Sequence, residues 1–411
     1  MEKIRRFLRR LGPGLITGAA DDDPSGIATY SLAGAQFGYQ ALWTAWLTFP
    51  LMAVIQETCA RIGLVNRKGL AGVIKEYYPK PLLYFITLLL VAANIFNIGA
   101  DLSGMAAAVK LLLPVDELLV GFIIAVVAIF LIIQLPYRRI AAVFKWLTLA
   151  LFAYILTYFL TGADFVKALQ STFLPDLNLF NQNSYLLTLV AIFGTTISPY
   201  LFFWQASEEA EEEILHHRLV TKNELKHERE DTVFGMFFSN LVAYFVIATC
   251  GATLFKAGAT GIQSASQAAT ALRPLAGDLS FLLFAVGIIG TGVLAIPVLA
   301  GSAAYAVSEA FGLAEGLNKP FRKAKAFYLI IILATLLGFV LNLAGINPIK
   351  YLFYSAVLNG LVAPVIIILL IIIANNRRIM GNYVNNRLSN LLSAFTLLLM
   401  TVAVLGIILV R

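Results

Sequence analysis

Apolar runs of 18 or more residues recur along the whole chain, and each is long enough to cross the hydrocarbon core of a bilayer as a helix. Of the 411 residues, 60% are hydrophobic and 13% are charged, which is more apolar surface than a soluble interior can bury. The sequence therefore predicts an all-α polytopic membrane protein. Residues 1–411 form a single transmembrane domain in this prediction, without a separate soluble domain.

Charged and Pro/Gly-rich stretches divide the chain into eleven predicted spans. They lie near residues 12–37, 41–64, 82–109, 118–135, 141–162, 184–207, 232–255, 279–311, 326–344, 350–374 and 388–410. The first and sixth spans are interrupted. Because these two are corresponding members of two five-helix halves, we expect inverted repeats over about 12–162 and 184–374, with 388–410 as an extra helix.

The loop charges indicate the orientation of the chain. When successive loops alternate between the two sides, most of the 30 Lys and Arg residues fall on the side of the N-terminus. The positive-inside rule then predicts a protein of the cytoplasmic membrane with its N-terminus in the cytoplasm and its C-terminus outside. The same topology explains the net charge of +7 without a nucleic-acid partner. The longest loop, residues 208–231, is expected to be a cytoplasmic connector whose glutamates, with His216 and His217, form a solvated helix extension.

Two helix breaks carry the functional signal. The first is GAADDDPSGIATY at residues 18–30, where Pro24 removes a backbone donor and Gly26 permits an open turn. The second is FGTTISPYLFFWQ at residues 193–205, around Pro199. Broken helices persist in a bilayer where they line a cavity or bind something, and paired breaks in corresponding helices indicate the substrate site of an inverted-repeat transporter.

The first break contains three consecutive carboxylates, Asp21, Asp22 and Asp23. Each Asp in the middle of a membrane costs at least about 2.5 kcal/mol, so an acidic cluster at that depth requires a cationic partner. Carboxylate, carbonyl and hydroxyl oxygens are hard ligands that suit Mg²⁺, Mn²⁺ or Ca²⁺. The sequence therefore predicts a site for a divalent cation, which is the substrate and not a cofactor.

The sequence resembles the natural resistance-associated macrophage protein (NRAMP) family of divalent metal transporters. The resemblance lies in GPGLITGAADDDPSG, AGAQFGY, ETCARIGLV, the broken sixth span and RRIMG, which follow one another in the family's order. It covers most of the chain. It implies a LeuT-like fold of two inverted five-helix repeats, transport of divalent metals by alternating access, and import as the direction.

The resemblance also implies a metal site, from which this chain departs. The family's first-helix motif is Asp-Pro-Gly-Asn and its sixth-helix motif is Met-Pro-His. Asp23 is kept, whereas Gly26, Ser198 and Tyr200 stand where the family has Asn, Met and His. Main-chain carbonyls of Ala20 and Thr195 are the implied remaining ligands. Because the soft thioether is missing, the chain looks like the NRAMP-related magnesium transporters, and Mg²⁺ is a candidate beside Mn²⁺.

Proton coupling is affected in the same way. Where proton-coupled relatives have an acidic pair on the third helix, this chain has Asp101 and Gly104, and the ninth span carries no charge. We therefore expect weak or no coupling to protons. Asp101 either lies near the cation or hydrogen-bonds a neighbouring helix. Asn359 could add an oxygen to the site, although helix–helix bonding is favoured, and Gln205 could line the inner vestibule.

Two other functions remain open at this stage. A LeuT-like transporter of a small organic solute, such as a cationic amine, could have lost the metal site, with Tyr30, Tyr200 and Trp204 as ring partners. A membrane-embedded enzyme is disfavoured, because all three histidines lie in one loop and most acids within the spans come from one break. The expected partners are thus a divalent cation and the lipid bilayer; a monomer is compatible with the sequence, which leaves the oligomeric state open.

Overall fold

All regular secondary structure in the described part of the chain is helical, and that part contains no strand. The computed structural model describes residues 17–18, 20–135, 139, 149–216 and 221–409. We number the longer helices in chain order. They are α1 (Pro24–Phe37), α2 (Leu42–Asn66), α3 (Leu70–Tyr77), α4 (Lys80–Lys110), α5 (Glu117–Gln134), α6 (Phe152–Leu160), α7 (Phe165–Phe173), α8 (Asn183–Thr196), α9 (Pro199–His216), α10 (Lys222–Cys250), α11 (Ser280–Phe311), α12 (Lys325–Leu341), α13 (Pro348–Asn375) and α14 (Arg387–Leu409). Short helices span Ala265–Ala269, Arg273–Ala276 and Arg377–Met380.

Helices occupy the predicted spans in the described part of the chain. Eight stretches there are long and apolar enough to cross a membrane, with α8 and α9 counted together, or nine if α6 and α7, bent by 116°, are counted with the preceding turn as one span. The predicted span 41–64 is helical as α2 but is not among these stretches. The first span yields only the 14-residue α1, since the break shortens it and its beginning lies outside the described residues. Most of the start of the predicted span 141–162 also lies outside them.

The broken sixth span occupies the centre of the bundle. In its most apolar 18-residue window 94% of the residues are buried, compared with 22% in α5 and 22% in α14. Large apolar side chains on α5, such as Leu119, Phe122 and Phe130, are exposed, as expected for a surface that faces lipid. The two breaks are therefore enclosed by protein, and α5 and α14 lie at the periphery.

The connector differs from its prediction. α9 continues to His216 and α10 begins at Lys222, so both spans extend well into residues 208–231. Glu208, Glu209 and Glu213 are buried, and the expected solvated helix extension is wrong for them. They are buried because the extended α9 packs against α2 and α11 instead of projecting into water. His227 is exposed, whereas residue 217 and the side chain of His216 lie outside the described part of the chain.

Glycines allow the central helices to approach each other closely. Gly194 of α8 faces the backbone of α13, and a Cβ atom there would overlap the Ala356 carbonyl oxygen and the Gly360 amide. Gly63 of α2 meets the Ala206 carbonyl of α9 in the same way. Close approach of backbones through small residues is a principal source of helix association in a bilayer, where the solvent does not drive helices together.

We predict that Gly194→Ala destabilises the protein. In an open helix this change would stabilise by about 0.5–1 kcal/mol, but here overpacking against Ala356 should cost about 1–3 kcal/mol and dominate. The measurement is thermal unfolding of the purified protein in detergent. Gly261→Ala is the matched control because nothing lies within 4 Å of its Cβ position. Equal unfolding temperatures for the two variants would contradict this account of the packing.

Candidate cation-binding site

Asp23 organises the first break. The preceding helical segment ends at Asp21, residues 22 and 23 are not helical, and α1 begins at Pro24, whose missing amide proton is harmless at the first turn of a helix. Asp23 caps α1: its Oδ1 atom accepts hydrogen bonds from the Gly26 amide at 2.7 Å and from Ser25 Oγ at 2.6 Å. One carboxylate oxygen of Asp23 is thereby held at the positive end of α1.

Ser198 stabilises the second break. α8 ends at Thr196 and α9 begins at Pro199. Ser198 Oγ lies 2.9 Å from the Gly194 carbonyl and 2.6 Å from the Thr195 carbonyl, and its hydroxyl donates to these groups at the end of α8. The predicted ligands Ser198 and Thr195 are thus in contact with each other. The Thr195 side-chain oxygen Oγ1 is buried and has no hydrogen-bond partner.

The two breaks meet through tyrosine hydroxyls. Tyr200 of α9 donates toward the Ala20 carbonyl at 3.3 Å and toward Asp23 Oδ2 at 3.4 Å. On the opposite side, Tyr30 of α1 lies 3.2 Å from Thr196 Oγ1. The residues around the two prolines therefore form one polar centre inside the bundle.

Gly26 lies close to the second break. A Cβ atom at this position would lie 3.1 Å from Thr195 Oγ1 and 3.5 Å from the Asp21 carbonyl oxygen. Where the family resemblance leads one to expect an asparagine, the chain thus has only backbone, next to an unpartnered hydroxyl and a carbonyl. Both of these groups are oxygen atoms that can face a cation.

Ser239 of α10 holds the other two acids of the first break. Its Oγ atom lies 2.6 Å from Asp21 Oδ2 and 3.3 Å from Asp22 Oδ1. Asp21 Oδ1 has no hydrogen-bond partner, although Asp21 is fully buried. The sequence analysis missed Ser239; the available signal was the polar pair Ser239–Asn240 in the middle of an otherwise apolar span.

Asp101 faces the same centre. It is fully buried in α4, and neither of its carboxylate oxygens has a hydrogen-bond partner. It lies close enough to Asp23 and Tyr200 for their charges to interact. The backbone amide of Ser25 in α1 also interacts with its carboxylate, so both interpretations of Asp101 stay predictions. Asp101 adds a fourth carboxylate near the first break.

Gln205 and Asn359 make hydrogen bonds with residues other than those described above for this centre. Gln205 accepts a hydrogen bond from Thr17 and donates one to Glu209 at 3.0 Å, so it joins the first part of the broken first span to α9. Asn359 Oδ1 accepts from Asn97 Nδ2 of α4 at 2.8 Å. This hydrogen bond joins α4 to α13, which is the contact that the favoured interpretation of Asn359 predicts.

The centre contains oxygen ligands of several kinds. Within the described residues, no group of three His, Cys, Asp or Glu side chains is placed to hold a metal ion. A cation at the breaks would therefore be held by one or two carboxylates together with carbonyl, hydroxyl and water oxygens. Such a set suits a hard divalent ion, and Mg²⁺ in particular retains several waters when it binds.

Comparison with solved structures identifies the fold. The chain superposes on the Eremococcus coleocola manganese transporter, solved with an aromatic bis-isothiourea substituted compound, with a TM-score of 0.78 at 20% identity. The match covers 97% of this chain and 86% of that one. It also superposes on MhsT, solved with L-phenylalanine, with a TM-score of 0.61 at 14% identity and 97% coverage of both chains. The chain has a LeuT-like fold with two inverted five-helix repeats, as predicted, and with helices 1 and 6 broken.

The family follows from the sequence comparison. The model of natural resistance-associated macrophage protein-like proteins matches residues 14–410, and the chain belongs to this family. It is similar to the divalent metal cation transporter MntH of Klebsiella pneumoniae, with 29% identity over 388 residues, which are 92% of this chain and 89% of the relative. The MntH of Erwinia tasmaniensis is 27% identical over 387 residues, covering 92% and 88%. The protein is an integral membrane protein of a transporter family, and the relatives are named as transporters, not enzymes.

We predict that Ser239→Ala destabilises the centre. The change removes the hydroxyl that Asp21 and Asp22 share, and leaving a buried acceptor without its donor costs about 1–3 kcal/mol. The measurement is thermal unfolding in detergent without divalent ions. Ser266→Ala, at an exposed position of the helix Ala265–Ala269, is the control and should unfold like the parent. An unchanged unfolding temperature for Ser239→Ala would show that this serine does not support the acidic break.

Proposed function

We propose that the protein transports divalent metal cations, with Mg²⁺ or Mn²⁺ as the substrate, by alternating access. The observation that supports this most strongly is the enclosed polar centre, where carboxylates from α4 and the first break meet the second break. Carboxylates at this depth are costly without a cation, and the named relatives are divalent metal transporters. In this proposal the buried carboxylates bind the cation, and the cation in turn offsets the cost of burying them.

In this proposal Asp23 is the central ligand. Its Oδ2 atom has only the long contact with Tyr200, so this oxygen can turn to an ion while Oδ1 stays on the cap of α1. Asp22 and the carbonyls of Ala20 and Thr195 supply further oxygens. Gly26 allows its backbone to lie beside Thr195 Oγ1, where a side chain would crowd it, and Ser198 and Tyr200 support the two breaks. Asp21 and Asp101 do not ligate the ion directly in this proposal, but their negative charge stabilises it from a longer distance.

The ligand set favours a hard ion. Ser198 stands where the family resemblance implies a methionine, so the soft sulfur that would select transition metals is missing. The hydroxyl of Ser198 donates its proton to carbonyls at the end of α8, so only its oxygen lone pairs are available to an ion. We infer that a partly hydrated Mg²⁺ fits as well as Mn²⁺, since Mg²⁺ surrenders its water reluctantly.

The proposed orientation places the N-terminus in the cytoplasm and the C-terminus outside. The membrane potential then draws the cation inward, with about 2.3 kcal/mol for each charge and 100 mV. Coupling to protons is weak or missing in this proposal. Supporting residues are Tyr200 in place of a histidine and Gly104 in place of a second acid, while the part of α12 that crosses the membrane after Lys325 contains no titratable charge.

We predict that purified protein in liposomes takes up Mg²⁺ or Mn²⁺ under an imposed negative internal potential, with the internal pH unchanged. Asp23→Ala should abolish uptake, because it removes the central ligand and the cap of α1. Glu230→Gln, on the exposed surface of α10, is the control and should transport like the parent. The assay offers Mg²⁺, Mn²⁺ and Ca²⁺ separately, with an internal pH dye.

Two outcomes of this assay would overturn the proposal. If no divalent ion moves in the parent, an organic solute such as a cationic amine becomes the better substrate, and the same liposomes can test it. If Asp23→Ala moves ions as well as the parent, the site does not lie at the first break. Acidification that depends on the transported ion would overturn the uncoupled mechanism alone.

We predict that Ser198→Met shifts selectivity toward softer ions. The thioether adds a soft ligand at the second break, so competition by Mn²⁺ and Cd²⁺ should strengthen relative to Mg²⁺, by roughly tenfold for about 1.4 kcal/mol of added interaction. Ser198→Leu is the control for size, and it should reduce binding of all these ions without changing their order. An unaltered order in Ser198→Met would show that residue 198 does not face the ion.

A further inference from the structure

One face of α10 leads from the breaks toward the side that carries the basic loops, and it ends at a buried acid. On α10, Glu228, Thr232, Gly235 and Ser239 are spaced by three or four residues and share one face of the helix. Ser239 contacts the acids of the first break. Glu228 lies eleven residues earlier, about 16 Å along the helix at a rise of 1.5 Å per residue. This face leads from the polar centre to Glu228.

Helix α9 presents a matching face. Gln205 and Glu209 are four residues apart and are hydrogen-bonded to each other at 3.0 Å. Glu209 is buried, and it lies close enough to Glu228 and Asp231 of α10 for their charges to act on it. Glu209 and Glu228 are therefore neighbouring carboxylates in a buried region.

Glu228 has an unused ligand atom. Only 9% of its surface is exposed. Its Oε1 atom accepts a hydrogen bond from Thr232 at 2.8 Å, but its Oε2 atom is buried without any hydrogen-bond partner. An unpaired carboxylate oxygen in such a place is costly unless a cation or a proton joins it.

Gln56 is an independent observation at the same place. It is fully buried in α2, and neither its amide oxygen nor its amide nitrogen has a partner. It lies between Met52, which contacts Asn240 of α10, and Cys59, which is close enough to Glu228 for an electrostatic interaction. These three residues lie on one face of α2 by helical spacing. The amide of Gln56 thus faces α10 and brings a neutral oxygen ligand to this region.

The nearest cation among the described contacts is already bound. Arg61 acts on Glu228, but its guanidinium hydrogen-bonds Glu57, the Tyr383 carbonyl at 2.6 Å and Asn385 Oδ1 at 2.5 Å. Its donors are therefore directed to α2 and to the segment before α14. The pair Glu209–Glu228 keeps an excess of negative charge.

The beginning of the first span separates this pair from the breaks. Thr17 donates to Gln205, and Gly18 packs directly on the backbone of Gly235. An ion leaving the breaks along α10 must pass this segment. The groups on the far side of it are Glu209, Glu228 and Gln56.

We propose that Glu209, Glu228 and the Gln56 amide form a second binding site for a divalent cation, which receives the ion after it passes Thr17 and Gly18. This inference rests on the proposed function, because it assumes the same substrate. Two carboxylates and one amide oxygen leave room for several waters, which suits a partly hydrated ion. The site lies on the side that the proposed orientation assigns to the cytoplasm.

The test is equilibrium binding of Mn²⁺ to the full-length protein in detergent, with the bound ion counted by electron paramagnetic resonance. The parent should bind one ion at each of two sites. Glu209→Gln/Glu228→Gln should lose one of them and keep the ion that needs Asp23, which also shows that the variant is folded. Asp23→Asn should lose the other. Gln56→Leu should weaken the second site by roughly tenfold, as expected when a ligand worth about 1.4 kcal/mol is removed.

The control is Glu76→Gln/Glu230→Gln, which removes the same charge at two exposed positions and should bind like the parent. If the parent binds one ion that depends on Asp23 and not on Glu209 and Glu228, the second site is overturned and the proposed function stands. If the only ion depends on Glu209 and Glu228, the second site stands and the site at the breaks is overturned. If the parent binds no Mn²⁺ and no competing Mg²⁺, both are overturned.

Discussion

The break in the first span leaves backbone groups without partners inside the helix. Other parts of the protein must bind these groups, because a bilayer offers them no water. Asp23 meets part of this requirement by capping α1, an interaction typically worth about 1 kcal/mol. Tyr200 meets another part by reaching the Ala20 carbonyl from α9. The first break is thus completed partly by a residue of the second, and the polar centre depends on both breaks being present.

Close packing keeps the second half of the first span in place. Gly34 of α1 lies against the Ile247 carbonyl of α10, and a side chain there would overlap it. The first half is held at its described end by the Thr17–Gln205 hydrogen bond and by the contact of Gly18 with Gly235. The end of this segment is also held by Ser239, which donates to Asp21, and by Tyr200, which donates toward the Ala20 carbonyl. In the described residues, α1 is thus anchored by backbone packing, and the segment before the break is anchored largely by hydrogen bonds to α9 and α10.

The fold could be predicted from the sequence because its determinants are local. Runs of apolar residues define the spans, and Pro24 and Pro199 each stand at the first residue of a helix, where the missing amide proton is harmless. Pro50, Pro297 and Pro364 lie inside helices, so a proline alone does not mark a break; the polar residues around Pro24 and Pro199 do. The central residues Asp23 and Tyr200 were also identified, because an unpaired carboxylate and a helix break are visible without a partner. Ser239, by contrast, depends on which face α10 turns to the first break. Such a tertiary relation has no local signal beyond a polar pair in an apolar span.

The burial of the glutamates of α9 also could not be predicted from local sequence. Glu208, Glu209 and Glu213 have the composition of a solvated helix, and only the packing against α2 and α11 buries them. Asp101 was open between two interpretations for a similar reason, because sequence spacing does not reveal which side of α4 faces the centre. In each case the charge was visible in the sequence, and the three-dimensional neighbours decided its role.

The hydrogen bonds of Asp23 constrain how an ion can be held. Two donors already occupy Oδ1, so direct coordination falls to Oδ2, and the Thr195 carbonyl is shared with Ser198. Few protein atoms can then enter the first coordination shell at once. A small, strongly hydrated ion tolerates this arrangement because water completes its shell, and the surrounding carboxylates of Asp21, Asp22 and Asp101 stabilise its charge from a distance. A site of this kind depends more on the total negative charge than on a rigid cage of ligands.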